Sequence, residues 1–287
     1  MRAERERKGP AVNTLDLGPI GVALDVSDDD SYLEAAIEIE KLGYSAIWIA
    51  GGQLATLDPL AKIVRATMAI PVAPGIIPVG VYTPRAVTDL YADLEATHPG
   101  RLIVGLGGPQ APRPLRALNE FLDRLDTGEP PVPAHRRILA ALGPRKLALA
   151  RDRFAGAVPL LVTPAYTAHA RQLLGSDSTL VINQMVVLDT DPVSARETAR
   201  GTLRFLLGVG GYPENARRMG FDDEEISGLG DRLVDALVAW GSADTIAERV
   251  TRHLRAGADQ VVLSALHQGR QPGPLDVARR LAREVAR

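Results

Sequence analysis

The fold is decided by the stretch Val72-Ala-Pro-Gly-Ile-Ile-Pro-Val79, which is followed by an amphipathic segment and then by Pro99-Gly-Arg-Leu-Ile-Val-Gly-Leu-Gly-Gly108. Two short apolar runs on either side of a helical pattern predict a strand–helix–strand unit. Both runs contain glycines, which are typical of positions where the backbone turns sharply or comes close to another group. The unit lies within a longer alternation of the same kind.

That alternation extends in both directions along the chain. Eight apolar runs each precede a segment with helical periodicity, and they cover residues 20–25, 46–50, 72–79, 102–106, 138–142, 157–162, 180–188 and 260–265. Strands that alternate with helices predict a parallel sheet, and eight such units can close into a (β/α)8 TIM barrel. A doubly wound open sheet is built from the same kinds of element, so it remains the alternative fold.

The length of 287 residues fits a single α/β-barrel domain that spans residues 1–287. The charged start of the chain is not followed by the apolar core of a secretory signal. Residues 1–16 are therefore expected to be a flexible tail. Residues 208–240 break the rhythm of strands and helices, and they predict a helical insertion before the last strand.

Composition excludes several classes of partner. The formal net charge of −2 gives no electrostatic basis for binding nucleic acid or an anionic membrane. The chain has no cysteine and its five histidines lack the spacing of metal ligands, so no metal site is predicted. No apolar run approaches the roughly 20 residues that span a bilayer. The expected location is the cytoplasm.

The loops after the strand C-termini form the active face of such a barrel. Gly143-Pro144 opens a helix there, so free N–H groups in this turn can bind an anion, with Arg145 as a second contact. An ordinary helix start with proline in its first turn explains the same residues. His267 and Asp25 also follow strands on this face and are the candidate catalytic residues, although a solvated loop histidine and a capping carboxylate are the commoner explanations of such residues.

Other patterns favour structural roles. Gly105-Leu-Gly-Gly108 lacks the third glycine of the dinucleotide fingerprint, so a Rossmann-type site is rejected. His253 lies on the apolar stripe of a helix, and Trp48 lies inside a strand, so both are predicted to be packed in the core. No serine lies in a nucleophile elbow, and the chain has no P-loop.

Taken together and in order, several segments resemble the luciferase-like monooxygenase superfamily, and in particular its actinobacterial deazaflavin-dependent oxidoreductases. No segment is specific by itself, and the match extends over about residues 17–265. The segments are Leu42-Gly-Tyr-Ser-Ala-Ile-Trp-Ile, Pro74-Gly-Ile-Ile-Pro-Val, His98-Pro-Gly-Arg-Leu-Ile-Val-Gly-Leu-Gly, Leu139-Ala-Ala-Leu-Gly-Pro, Leu161-Val-Thr-Pro, Ala239-Trp-Gly-Ser and Ala256-Gly-Ala-Asp-Gln-Val.

The resemblance implies a barrel in which the planar ring of the coenzyme lies against the ends of strands three and four. It implies a non-prolyl cis peptide in the third strand, for which Gly75-Ile76 is the candidate. It also implies that the coenzyme phosphate binds at the turn before the helix that follows strand five. The implied cofactor-binding residues are Gly75, Ile76, Ile77, Gly105, Gly107, Ala141, Leu142, Gly143, Val162 and Thr163.

The implied reaction is hydride transfer between the deazaflavin F420 and a small organic substrate, in a homodimer. A monooxygenase that uses FMN and a separate reductase has the same fold and is the second reading. Many relatives carry an acidic residue or histidine at the end of strand two and Ser-His after strand four. Here the chain has Ala50-Gly-Gly-Gln53 and Gly108-Pro-Gln110. Because two expected proton donors are missing, a coenzyme- or ligand-binding barrel without turnover is the third reading.

Overall fold

The computed structural model describes residues 15–50, 54–108 and 113–285. The strands are β1 (Ile20–Ala23), β2 (Ala46–Ala50), β3 (Val72–Gly75), β4 (Ile77–Pro78), β5 (Val104–Gly107), β6 (Arg137–Leu139), β7 (Gly156–Ala157), β8 (Thr179–Val187), β9 (Val238–Trp240) and β10 (Gln260–Ala265). The helices are α1 (Tyr32–Lys41), α2 (Asp58–Ala66), α3 (Pro84–Thr97), α4 (Pro114–Asp126), α5 (Pro144–Arg153), α6 (Pro164–Leu174), α7 (Pro192–Leu206), α8 (Tyr212–Arg218), α9 (Asp223–Gly228), α10 (Asp231–Leu237), α11 (Ala243–Arg255) and α12 (Pro274–Val285).

The strands form one parallel sheet in the order β3-β2-β1-β10-β8-β7-β6-β5-β4, and β9 pairs with β8 beside this path. The ring closes because β3 and β4 are one interrupted strand: β3 pairs with β2, and β4 pairs with β5. Val72 also bonds to the segment before β5, through Arg101 O (2.9 Å) and Ile103 N (3.0 Å). The described chain is therefore a (β/α)8 TIM barrel, and the open-sheet alternative is wrong.

Both faces of the strands are buried, which explains why the strands are continuous apolar runs in the sequence. Side chains that point into the barrel form one core cluster, which includes Trp48, Ala73, Ile103, Ile138, Val181 and Val262. Their neighbours along the strands pack outward against the helices; Ile47, Val72 and Leu180 are examples. Trp48 is 1% exposed, as predicted, and its indole N–H donates to Gln260 Oε1 (2.9 Å).

The predicted strand boundaries hold where the strand is regular. The predicted runs 46–50 and 260–265 coincide with β2 and β10. The run 72–79 is interrupted at Ile76, and only Gly156–Ala157 of the sixth strand is regular. Beyond β7, Pro159 has no N–H to donate, and a single bridge joins Leu160 to Asn183.

The insertion follows α7 and contains α8, α9, α10 and β9. Its core is formed with β8 and α7, through residues such as Val187, Leu203, Leu233 and Val234. Trp240 ends β9, the strand of the insertion that pairs with β8.

The predicted tail is corrected at its last two residues. Residues 1–14 lie outside the described residues, whereas Leu15 is buried and its N–H donates to Thr179 Oγ1 (2.8 Å). No helix in the described part of the chain combines the length and the apolar character needed to cross a membrane.

Candidate functional site

A cleft of about 1530 Å³ opens where the C-terminal ends of the strands meet. Residues at or just beyond the ends of β3 to β7, together with Asn183 in β8, line it. The first turns of α4 and α5 form further walls, and α8 of the insertion faces them. Because this is the active face of a (β/α)8 barrel, the cleft is the candidate functional site.

The floor of the cleft is built from backbone and small residues. Gly75, Ile76 and Gly107 line it, and the Gly75–Ile76 peptide bond is cis, as the resemblance implied. A Cβ on Gly107 would lie 2.3 Å from Ile76 Cδ1, so a side chain at position 107 would displace Ile76. The two glycines contribute no side chains to this floor, and the Ile76 side chain covers Gly107.

Two of the implied cofactor contacts lie behind this floor. Ile77 is 1% exposed and belongs to the core between strands and helices. Gly105 is buried in β5, and a Cβ there would lie 2.1 Å from Pro74 O. This glycine therefore allows the backbones of β3 and β5 to approach each other, and neither residue lines the cleft.

The turn before α5 forms one end of the cleft. Ala141, Leu142 and Gly143 all line it, as the resemblance implied. The Tyr166 hydroxyl donates to Leu142 O (2.5 Å) and holds the turn against α6. Gly143 is the N-cap of α5 and has no side chain to cap it. Pro144 has no N–H, and the N–H groups of Lys146 and Leu147 donate to Gly143 O (3.0 Å). The donors that remain for a ligand in this turn are therefore the N–H groups of Gly143 and Arg145.

The insertion adds a cation to this end of the cleft. Arg218 of α8 approaches Gly143 so closely that a Cβ on the glycine would lie 3.3 Å from Arg218 Nη1. Arg145, on the first turn of α5, lines the same end. A helix N-terminus and two guanidinium groups together favour a phosphate or carboxylate ligand.

Val162 and Thr163 support this end of the cleft from behind. Val162 is 2% exposed and packs in the core. Thr163 caps α6 by accepting from Tyr166 N (3.2 Å), and its hydroxyl lies 3.9 Å from Met219 Sδ at the end of α8. They position α6 and α8 and do not line the cleft.

Neither candidate catalytic residue is part of the cleft lining. Asp25 follows β1 and His267 follows β10, so both lie at the expected end of the barrel, and both are exposed. Their catalytic role stays a prediction. Of the positions where proton donors are missing, residues 51–53 and 109–110 lie outside the described residues.

Several lining residues were missed by sequence reasoning, among them Arg113, Lys146, Asn183, Tyr212 and Arg218. Lys146 sits one turn into α5, and the only signal was its nearness to Gly143-Pro144. Asn183 is the polar residue in the apolar strand β8; Ser264 Oγ donates to its Oδ1 (2.7 Å) and orients the amide. Tyr212 and Arg218 belong to the insertion, and nothing in their local sequence shows where α8 packs.

The neighbour of Asn183 has a structural role. The Gln184 side chain is buried; its Nε2 donates to Leu237 O (3.1 Å), and its Oε1 bonds to His253 Nε2 (2.9 Å). The other ring nitrogen of His253 bonds to Thr167 Oγ1 (2.8 Å). Burial, assisted by the nearby Arg249, lowers the pKa of His253 to about 3, so this histidine is a neutral core residue, as predicted.

Charge in the cleft is strongly one-sided. The charged residues in its lining are Arg113, Arg116, Arg145, Lys146, Glu214 and Arg218. The carboxylate of Glu214 already accepts from Arg218 (3.0 Å) and lies 3.6 Å from Arg217. In the described lining, the cations therefore exceed the anions, which favours an anionic ligand. Among the described residues, no group of His, Asp or Glu side chains is arranged to hold a metal ion.

Comparisons with known proteins support the fold. No family model matches the chain, and no curated protein matches it by sequence. An F420-dependent secondary alcohol dehydrogenase, solved with an F420–acetone adduct, aligns with a TM-score of 0.71 at 16% identity, over 94% of this chain and 99% of its own. A coenzyme F420-dependent tetrahydromethanopterin reductase from Methanopyrus kandleri aligns with a TM-score of 0.72 at 17% identity, over 96% and 99%.

A flavin enzyme has the same architecture. The oxygenating constituent of 3,6-diketocamphane monooxygenase from Pseudomonas putida, a type II Baeyer–Villiger monooxygenase solved with FMN, aligns with a TM-score of 0.64 at 13% identity. It covers 94% of this chain and 98% of its own. The chain thus has the fold of the luciferase-like monooxygenase superfamily, which confirms the resemblance at the level of the fold.

Proposed function

We propose that this chain is an oxidoreductase that binds the deazaflavin F420 in the cleft and transfers a hydride between it and a small organic substrate. The observation that carries the proposal is a single cleft in which one region suits a planar ring and another suits a phosphate. The floor of Gly75, Ile76 and Gly107 suits a planar ring, and the turn at Gly143 beside Arg218 suits a phosphate. Two F420-dependent enzymes have the same fold, and one of them was solved with an F420–acetone adduct.

The residues present fit the coenzyme in shape and in charge. The cleft, at about 1530 Å³, has room for a cofactor and a substrate together. Bound in it, the deazaflavin would supply the hydride chemistry. The chain would orient the ring on the floor, hold the phosphate with the N–H groups of α5 and with Arg218, and exclude water by packing Val158 and Leu160 along one wall.

Asn183 gives the cleft a polar contact in an otherwise apolar region. Ser264 fixes the amide through its oxygen, so the amide N–H groups can donate to a carbonyl of the ring or of the substrate. His267 and Asp25 remain candidates for proton transfer only if substrate binding brings them toward the cleft.

The decisive experiment is a fluorescence titration of the purified protein with F420 and, separately, with FMN. We expect micromolar binding of F420 and much weaker binding of FMN. Oxidation of reduced F420 is then followed with a panel of ketones, enones, quinones and nitroarenes. Failure to bind F420 would contradict the proposal. Preferential binding of FMN would support the monooxygenase reading, which the diketocamphane monooxygenase favours. Binding without turnover of any acceptor would support the non-catalytic reading.

The assembly and location follow from the resemblance only. We propose a cytoplasmic homodimer. Light scattering during size-exclusion chromatography measures the mass directly, and a mass equal to one 30.7 kDa chain would contradict the dimer.

A further inference from the structure

The side chain of Lys146 reaches from α5 across the end of β5. A Cβ placed on Gly108 would lie 3.6 Å from Lys146 Nζ and 3.8 Å from its Cε. Gly108 directly follows Gly107, which forms the floor with Ile76. The ammonium group therefore lies next to the floor, in space that the absence of a side chain at position 108 leaves free.

No anionic group compensates this ammonium. Lys146 is half-buried, and it has no ion pair with any described residue. The charged and titratable groups around the cleft are Arg113 and Arg116 of the α4 segment, Arg145 of α5, and Tyr212, Glu214 and Arg218 of α8. Glu214 is engaged by the two arginines of its own helix.

The described lining contains few groups that can release a proton near neutral pH. Burial raises the pKa of the Tyr212 phenol, which makes it a weaker acid, and the guanidinium groups do not deprotonate. Burial lowers the pKa of the Lys146 ammonium, which makes it a stronger acid. Position 108, where relatives carry a proton-donating pair in the resemblance described above, has no side chain here.

We propose that Lys146 is the proton donor for hydride transfer in this cleft, replacing the groups missing at positions 50–53 and 108–110. The inference rests on the proposed function. For a ketone substrate, the bound deazaflavin would supply the hydride: a C–H bond of its reduced form would break, a C–H bond would form at the carbonyl carbon, and the C=O π pair would move to oxygen. The deazaflavin would thus be oxidised and the ketone reduced. The carbonyl oxygen takes a proton from Lys146 Nζ as an N–H bond breaks. The neutral amine is reprotonated from water through the open cleft.

The test compares K146R and K146M with R151M, because Arg151 is an exposed cation of the same helix that pairs with Asp152 (3.0 Å) and does not line the cleft. The acceptor that gives the highest rate with the wild type is used throughout. General acid catalysis is worth about 10²- to 10⁴-fold, so we expect kcat to fall at least about 100-fold in both K146R and K146M. The affinity for F420 should change little in either variant. Arginine keeps the charge but cannot deliver a proton, so K146R separates proton donation from simple charge stabilisation. R151M should retain kcat.

A second measurement does not depend on turnover. Lysines of the free protein are labelled by reductive ¹³C-methylation, and the Lys146 signal is assigned by its absence in K146R. We expect this signal to titrate at a lower pH than the signals of exposed lysines. Added methylammonium should also restore part of the rate lost in K146A.

The outcomes separate the two proposals. Failure of the wild type to bind F420 or to reduce any acceptor removes the proposed function and this inference together. A wild type that turns over while K146R keeps its full kcat overturns only the role of Lys146. So does a Lys146 signal that titrates with the exposed lysines.

Discussion

The two ends of the barrel use their cations in opposite ways. At the N-terminal end, the Arg101 guanidinium donates to Ile70 O (2.8 Å), Met68 O (2.8 Å) and Thr67 Oγ1 (2.7 Å) at the end of α2. At the C-terminal end, Arg145 and Lys146 line the cleft without an ion pair among the described residues. The cation at the N-terminal end therefore stabilises the fold, whereas the cations at the C-terminal end are available to a ligand.

Polar groups inside the barrel follow the same division. Gln260 closes the N-terminal end by accepting from Trp48 Nε1 (2.9 Å) and donating to Gly18 O (2.9 Å). Near the cleft, the Nδ2 donors of Asn183 are left to face the open space. Stability and function should therefore be separable by substitution, and the following experiments test that separation.

The largest effect is expected from Gly105→Ala, compared with the same change two residues later. At position 105 the new Cβ meets a backbone carbonyl at 2.1 Å, which cannot move without distorting the barrel wall. Overpacking of this kind costs about 3 kcal/mol or more in the free energy of unfolding. Gly107→Ala pushes only the Ile76 side chain, so we expect a small loss of stability and weaker binding of F420. Urea unfolding and coenzyme titration measure the two effects, and equal losses of stability would contradict the assignment.

Arg101→Met should lower the free energy of unfolding by about 3 kcal/mol, because several acceptors at the end of α2 lose a charged donor. R145M and K146M, at the opposite end, should leave the unfolding midpoint unchanged or raise it, since they remove unpaired charge. If R145M or K146M destabilised the protein as much as R101M, the two ends would not differ in the way we describe.

His253 should make stability depend on pH. Its pKa is about 3 in the fold, against 6.5 when unfolded, so below pH 6.5 the unfolded chain takes up a proton that the folded chain does not. The stabilisation is complete above pH 6.5 and decreases by about 1.4 kcal/mol per pH unit as the pH falls toward 3. Lowering the pH from 7 to 5 should therefore cost about 2 kcal/mol from this group. Unfolding curves of H253Q should lack this component; an unchanged slope would assign it to other groups.

The smallest effect is expected from Arg218→Met, which should weaken F420 binding about tenfold by removing one charged hydrogen bond to the phosphate. Arg217→Met is the matched control, because Arg217 pairs with Asp223 (2.6 Å) and does not line the cleft. Neither change should alter the unfolding midpoint by more than the small value typical of a surface ion pair. A loss of affinity in R217M equal to that in R218M would argue against a specific phosphate contact.

Most of the fold was predictable because barrel strands are buried on both faces. Runs such as 46–50 and 260–265 are therefore readable as single apolar blocks, and they coincide with β2 and β10. The interruption at Ile76 and the short β7 depend on backbone bonding between distant strands, which periodicity does not report. The sequence of one strand does not show where the strand that pairs with it ends.

Only those parts of the candidate site that are formed by backbone turns were predictable from the sequence. The lining includes Gly75, Ile76, Gly107 and Gly143. These positions were predictable because turns that contain glycine are recognisable in the local sequence. Lys146 and Arg218 were missed, since their importance depends on where their side chains reach. Gly105 shows the converse: its signature was read as a ligand contact, whereas the structure uses it for close approach of Pro74 O.

The packing of α8 against the turn at Gly143 has a consequence for how such enzymes diversify. Tyr212 and Arg218 reach the cleft from a block anchored on α7 and β8, while Gly75 and Gly107 belong to the barrel wall. Under the proposed function, exchanging this block between relatives would change the contacts to the phosphate of the ligand. The contacts to its planar redox ring would stay the same. Replacing this block would therefore alter the contacts to the phosphate without any substitution in the barrel wall.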